Sequence, residues 1–227
     1  MTIYKNLNLH ISQFSTDTVI FAEVFPDIKK GKSRDRARSI LEAAIESYRV
    51  NGIENTTYER IAEIAGISRP LIFKYFADYD DIFYKSVKLI RVHFQLFAVD
   101  AIKKQNHPTE KVRAYVHSTF EWLEKFPSYA SGLLLYLQRC SWSERERDLN
   151  TQFTEAGRSR IEALIRLGLE TGEFSCADPL VMAKQVQTVI TGAVVTQLTE
   201  NLQNNGDYQN DVMALCLGLC GAKPSVE

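Results

Sequence analysis

A chain of 227 residues, 45% hydrophobic and 24% charged, has the composition of a soluble globular protein, long enough for one large domain or a small one with a larger partner. No apolar run approaches the roughly 18 residues that span a bilayer, and no basic start leads into a hydrophobic run, so no membrane association and a cytoplasmic location are expected. The net charge of −1 is unevenly spread: from Lys29 to Lys74 ten Lys/Arg face six Asp/Glu, a local excess of positive charge that suits a polyanion.

Residues 1–28 mix apolar positions such as Ile3, Leu7, Ile20, Phe21 and Phe25 with Ser and Thr, which is not the composition of a disordered polar tail. This N-terminal extension has no assigned role, and its stretch Thr18 to Phe25 is expected to pack on its own or a partner subunit. Between Lys29 and Arg38 six bases are interrupted by Asp35 alone. Two readings stay open for them, a solvated lead-in to the next helix or an arm that touches phosphates or follows the minor groove. A helix then runs from about Arg34 to Asn51, with Ile40, Leu41, Ala44, Ile45 and Tyr48 on one face and Gly52 as its stop.

The run from Thr56 to Phe76 predicts two short helices joined by one sharp turn, a helix-turn-helix. Thr56 is expected to cap the first while Glu59 closes a capping box, and Ile61, Ala62 and Ala65 follow at helical spacing. Gly66 ends that helix, because the positive φ needed to reverse the chain carries no steric penalty in glycine. Ser68 is expected to cap the second helix, and Pro70 falls in its first turn, where a missing N–H breaks no internal bond. Ile67, Ile72 and Phe76 take its apolar side, leaving Arg69, Leu71, Lys74 and Tyr75 to point elsewhere.

In such a motif the second helix lies in the DNA major groove with its N-terminal residues at base edges, so Ser68, Arg69, Pro70 and Leu71 are the expected readers. The planar fork of Arg69 can meet guanine O6 and N7 together, a contact worth about 1–3 kcal/mol of discrimination. Lys74 and Tyr75 lie a turn further on, within reach of phosphates, and are assigned to positioning.

Helix four starts near Asp78, with Asp80 and Asp81 suiting a helix N-terminus and Ile82, Val87, Ile90, Phe94 and Phe97 down one side. Val112 to Leu123 reads as an amphipathic helix ended by Pro127, and Ala130 to Leu137 as the next. After the polar stretch Ser141 to Asp148, a long helix passes through Phe153, Ile161 and Leu169 to Gly172. Asp178-Pro179 opens another, which carries Ala183 to Gln197, and a last helix carries Val212, Leu215, Cys216 and Leu219. With about nine helices and no strand pair, the fold class is all-α.

Gly52, Thr56-Thr57, Ile61-Ala62, Ala65-Gly66-Ile67-Ser68 and Phe73-Lys74-Tyr75-Phe76 together resemble the signature of the TetR family of bacterial transcription regulators. The motif-bearing match covers about Arg34 to Phe94, and beyond it the likeness is one of helix lengths and order. The resemblance implies a three-helix DNA-binding domain over 29–77 and a helical ligand-binding and dimerisation domain over 78–227. Thr57 and Phe73, inside these motifs, are counted with the DNA contacts. Where the family often has a phosphate-gripping lysine at the start of helix four, this chain has Tyr79, whose phenol can hydrogen-bond a phosphate but brings no charge.

The same resemblance implies a homodimer through the two C-terminal helices, whose Ile190, Gly192, Ala193, Val194, Val195, Ala214, Leu215 and Leu217 form a dense run of small and apolar residues. It also implies a pocket for a small-molecule effector. Phe94, Phe97, Tyr115, Phe120 and Tyr136, with Trp122 and Trp142, are aromatic candidates that read more readily as core, and Arg139 and His117 are the candidate polar anchors. His117 falls at the edge of its helix's apolar stripe and is expected to be inert. The function expected is that of a repressor released from a palindromic double-stranded DNA operator by a small apolar ligand. The alternative is a helical interaction or sensor protein on the same scaffold with weakened DNA binding, which Tyr79 favours.

No His-Glu-x-x-His, glycine-rich phosphate loop or Gly-x-Ser-x-Gly elbow is present, so no enzyme, catalytic residue or cofactor is expected. Cys140, Cys176, Cys216 and Cys220 read as reduced core thiols. Cys216 and Cys220 share a helix face, but with no nearby histidine or second cysteine pair no metal site is expected.

Overall fold

The computed structural model describes residues 16–28, 31–200 and 206–222. Among them lie ten helices and no strand: α1 Thr16–Val24, α2 Lys32–Asn51, α3 Tyr58–Ile64, α4 Arg69–Ile72, α5 Tyr79–Lys103, α6 Pro108–Lys125, α7 Pro127–Arg139, α8 Glu144–Glu170, α9 Pro179–Thr199 and α10 Gly206–Cys220. The helix beyond the expected nine is α1. The chain divides into two compact units, one holding the described residues of 16–93 and 126–143, the other those of 94–125 and 144–222. α5 contributes its first part to one and its last part to the other.

In the first unit α2 is the spine, with Ile40, Leu41, Ala44 and Ile45 wholly buried. α7 approaches α2 and α5 closely at Gly132, where a Cβ would come within 2.6 Å of Ile90 Cδ1 and 3.8 Å of Ile45 Cγ2. The Ser128 hydroxyl donates to the Glu46 carboxylate in the same region. α1 docks within its own chain: Ile20, Val24 and Phe25 are buried, Arg34 Nε donates to the Ile28 carbonyl at 2.8 Å, and its guanidinium lies 5.5 Å from the Phe21 ring centroid. Each of those three buried side chains stabilises the docking by about 1.5–3 kcal/mol. Lys29 and Lys30 of the basic run lie outside the described residues.

In the second unit, Val112, Tyr115, Val116 and Phe120 of α6 pack with the buried faces of α8, α9 and α10. The Glu173 carboxylate caps α6, accepting from the Thr109 N–H at 2.9 Å and its hydroxyl at 2.8 Å. At the other end of this loop Asp178 caps α9, accepting from the N–H groups of Leu180 and Val181 at 2.9 and 3.2 Å, and Pro179 occupies the first turn. All four cysteines are free thiols; Cys216 and Cys220 are buried, and burial pushes them up to about 11 and about 12. No helix among the described residues is long and apolar enough to cross a membrane.

Candidate nucleic-acid interface

Thr57, not Thr56, caps α3. Thr57 has an extended backbone, and its hydroxyl oxygen accepts from the Arg60 N–H at 3.3 Å. Thr56 is 6% exposed and turns inward, donating to the Gly52 carbonyl at 2.8 Å and lying 2.9 Å from the Ser47 hydroxyl. With the cap one residue later, the third helical position is Arg60 rather than Glu59, so the expected capping box does not form. Glu59 is left to face Arg69.

The turn follows from Gly66, at φ 62°. The Ile67 N–H reaches back to the Ala62 carbonyl at 2.9 Å and the Gly66 N–H to Glu63 at 3.1 Å, the paired bonds of a Schellman end. Ser68 is extended and makes no side-chain capping bond, which corrects its expected role. α4 is a single α-helical turn that continues as a tight turn, with the Lys74 N–H on Leu71 and the Tyr75 N–H on Ile72. Ile72 and Phe76 are buried and Ile67 half-buried, as the apolar side requires. Ser68, Arg69, Pro70, Phe73 and Lys74 are exposed, and Leu71 and Tyr75 are half-buried beside them.

Arg69 is held loosely but aimed. Its Nη1 lies 2.7 Å from Glu59 Oε1, and its guanidinium sits 5.8 Å from the Tyr58 ring centroid and 6.0 Å from that of Phe73. Those two rings lean together with centroids 4.8 Å apart, so the fork rests on an aromatic floor whose Phe73 member is 48% exposed. An ion pair with side chains 54% and 61% exposed contributes about 0–1 kcal/mol, and each exposed cation–π contact about as much. A base edge or a phosphate can therefore displace Glu59 at small cost. Glu59 itself is held below the usual carboxylate range, first by its own backbone N–H and then by Arg69.

Tyr79 is placed differently from a free phosphate donor. Its hydroxyl donates to the Ile53 carbonyl at 3.1 Å, and its half-buried ring meets Tyr58 and Tyr48 edge to face at 6.1 and 6.3 Å. Burial pushes its phenol up. Local sequence patterns did not mark Tyr58, Glu59 and Arg60 as part of this surface. Tyr58 forms the floor, Glu59 pairs with Arg69, and Arg60 donates to the Asn51 carboxamide oxygen.

The six residues considered for an effector fall in different units. Phe94, Phe97, Tyr115 and Phe120 belong to the second, where Phe94 meets Trp122 edge to face at 5.2 Å and Phe120 meets Tyr208 at 6.1 Å. Lys125 Nζ lies 5.9 Å from the Phe97 ring centroid, and His117 is exposed. Tyr136 and Arg139 belong to the first. Tyr136 is wholly buried, and Arg139 stacks 4.4 Å from the Phe83 centroid with Nη2 3.5 Å from Asp80. Arg139 also lines, with Gly52, Ile53, Gln138 and Trp142, a cavity of about 420 Å³.

The model of a family described as bacterial regulatory proteins, tetR family, matches residues 40–84, from α2 through the helix-turn-helix into α5. The HTH-type transcriptional regulator BetI of Agrobacterium fabrum (strain C58) is 26% identical over 135 residues, which cover 60% of this chain and 66% of that protein, just under two thirds of its length. In fold the chain is similar to a transcriptional regulator from Saccharomonospora viridis in complex with choline, with a TM-score of 0.74 at 20% identity over 85% of this chain and all of that one. It is similar also to SmeT in complex with triclosan, with a TM-score of 0.68 at 16% identity over 85% of this chain and 94% of that one. The family match falls on the segment that carries the Gly66 turn and the exposed face of α4, and it is over this segment that the chain is similar to the tetR family of bacterial regulatory proteins.

Proposed function

We propose that the chain is a homodimeric repressor that reads a palindromic operator with α4 and is released by a small, mostly apolar ligand bound in its second unit. The observation that carries this reading is Arg69, exposed, unburdened by any strong partner and propped on Tyr58 and Phe73 at the start of the reading segment. Ser68, Pro70 and Leu71 complete the base-facing set, and Thr57, Phe73, Lys74 and Tyr75 flank it towards the phosphates. Dimerisation is supported by α9 and α10, where Gly192 and Gly218 are exposed with open space beside them and Leu215 is 59% exposed. A two-fold axis there sets the two reading segments about 34 Å apart, one turn of DNA, or further if the subunits splay. Ligand control is supported by the small molecules in the Saccharomonospora and SmeT structures.

One observation favours the second reading, an interaction or sensor protein with weakened DNA binding. The Tyr79 hydroxyl proton is already committed to Ile53, so a phosphate grip at the start of α5 lacks both charge and a free donor. Gel-shift binding to the DNA upstream of the chain's own gene separates the two. Retardation that survives competitor DNA supports the repressor, and no retardation at micromolar protein supports the alternative.

A further inference from the structure

α8 handles its arginines in two ways. Arg166 pairs with Glu162 across one helical turn at 2.6 Å, in solvent. Arg160 is 8% exposed, and its Nη2 has no hydrogen-bond partner among the described residues. No acid occupies a neighbouring position on the helix: Ala156, Gly157, Ala163 and Leu164 stand three and four residues away, three of them too small to cover a guanidinium. Burial pulls its pKa down and only the Tyr115 phenol pushes it back, yet arginine does not give up its proton in proteins. A buried positive charge with an unsatisfied nitrogen among the described residues is costly enough that interiors carry one only with a counter-charge or a use.

The turn of α8 just before Arg160 meets polar groups of two other helices. A Cβ on Gly157, one turn before Arg160, would stand 2.9 Å from Gln187 Oε1 of α9 and 4.0 Å from the Tyr115 hydroxyl of α6. The bare backbone at Gly157 thus lets Gln187 and Tyr115 close on the same turn of α8. Gln187 Nε2 already donates to Thr191 at 3.2 Å, and the Arg160 guanidinium is the cationic donor on the adjoining turn of α8. We propose that Arg160 receives the carboxylate of the effector, which is therefore an organic acid with an apolar body rather than a neutral compound or a cation. This rests on the reading of the second unit as the ligand-binding part, and refines it.

The full chain is tested by thermal melting and by release from DNA, with octanoate and decanoate, the matching alcohols, and a quaternary ammonium of equal chain length. The carboxylate is expected to act at about a tenfold lower concentration than its alcohol, the scale of one charge-assisted bond, and the ammonium not at all. Arg160→Met should erase the carboxylate's advantage and leave the alcohol's effect, and without ligand should melt a few degrees above the parent, an uncompensated cation having become apolar volume. Arg160→Lys, which keeps the charge, should retain part of the advantage and serves if the methionine variant does not fold. An Arg160→Met protein that melts lower and still prefers the carboxylate overturns the proposal, making Arg160 a structural anchor. Alcohols that act as well as carboxylates on the parent overturn the proposal alone, whereas no effect from any compound removes it together with the ligand reading beneath it.

Discussion

Arg69→Ala removes a guanidinium that stands 2.7 Å from Glu59 and above two rings in the free protein. Little of the fold depends on it, because an exposed pair contributes about 0–1 kcal/mol, so the melting temperature should move by no more than about 4 °C. On DNA the loss is a bidentate base contact of about 1–3 kcal/mol, reduced by the fraction of a kcal/mol that separating the guanidinium from Glu59 would have cost. The net is about 1–2 kcal/mol, or roughly tenfold in discrimination. Fluorescence anisotropy titrations with operator and scrambled duplexes at three salt concentrations measure it. Operator affinity should fall roughly tenfold while the scrambled duplex hardly changes. Glu59→Gln, which frees the fork, should raise operator affinity by up to about fivefold. If Arg69→Ala weakens both duplexes alike and lowers both salt slopes by about one, Arg69 grips a phosphate and the base-reading role is wrong.

Lys74→Ala should show that other pattern, an equal loss on both duplexes with the salt slope reduced by about one, in the same titrations. Gly66→Val places a β-branched residue at φ 62°, a strain of roughly 1–3 kcal/mol, so the protein should melt several degrees lower and lose specific binding; an unshifted melt would contradict the turn geometry. His93, packed edge-on to Phe126 at 4.5 Å and Tyr129 at 5.0 Å, has its pKa pulled down to about 4 by burial first and Arg38 second. An unfolded imidazole titrates near 6.5, so the neutral ring's contribution is complete above about pH 6.5 and lost as pH falls through 4, a drop of roughly 2–3 kcal/mol relative to His93→Gln in urea midpoints measured between pH 8 and 4. Leu215→Glu should turn a dimer into a monomer by light scattering, and an unchanged mass would move the interface off α10.

The turn was legible because its cause is local: a positive φ at Gly66 and the bonds it permits involve residues within five positions of one another. The cap was misplaced by one residue for a reason no local pattern holds. Thr56 and Thr57 are both suitable, and the choice is made by Ser47 and Gly52, which draw the Thr56 hydroxyl into the interior. That Arg69 points outward was recognisable, but its partners Glu59 and Tyr58 lie about ten residues away on another helix and become visible only once Gly66 folds α4 back on α3. The helical periodicity of α7 predicts a helix without saying which neighbours it chooses. Gly132 against Ile90 and Ile45, and Ser128 on Glu46, tie it to the first unit and carry Tyr136 and Arg139 with it. Arg160 gave no signal at all, since an arginine becomes informative only when its burial and, among the described residues, its unsatisfied Nη2 are seen together.

The central claim, that α4 lies in the major groove with Arg69 on a guanine edge, is most directly tested by methylation interference on the upstream duplex. Methylating guanine N7 blocks the acceptor the Arg69 fork needs. The account predicts one sensitive guanine in each of two half-sites about one helical turn, or a multiple of it, apart, with the sensitivity lost in Arg69→Ala. Binding indifferent to N7 methylation, or blocked only by changes in the minor groove, would contradict it.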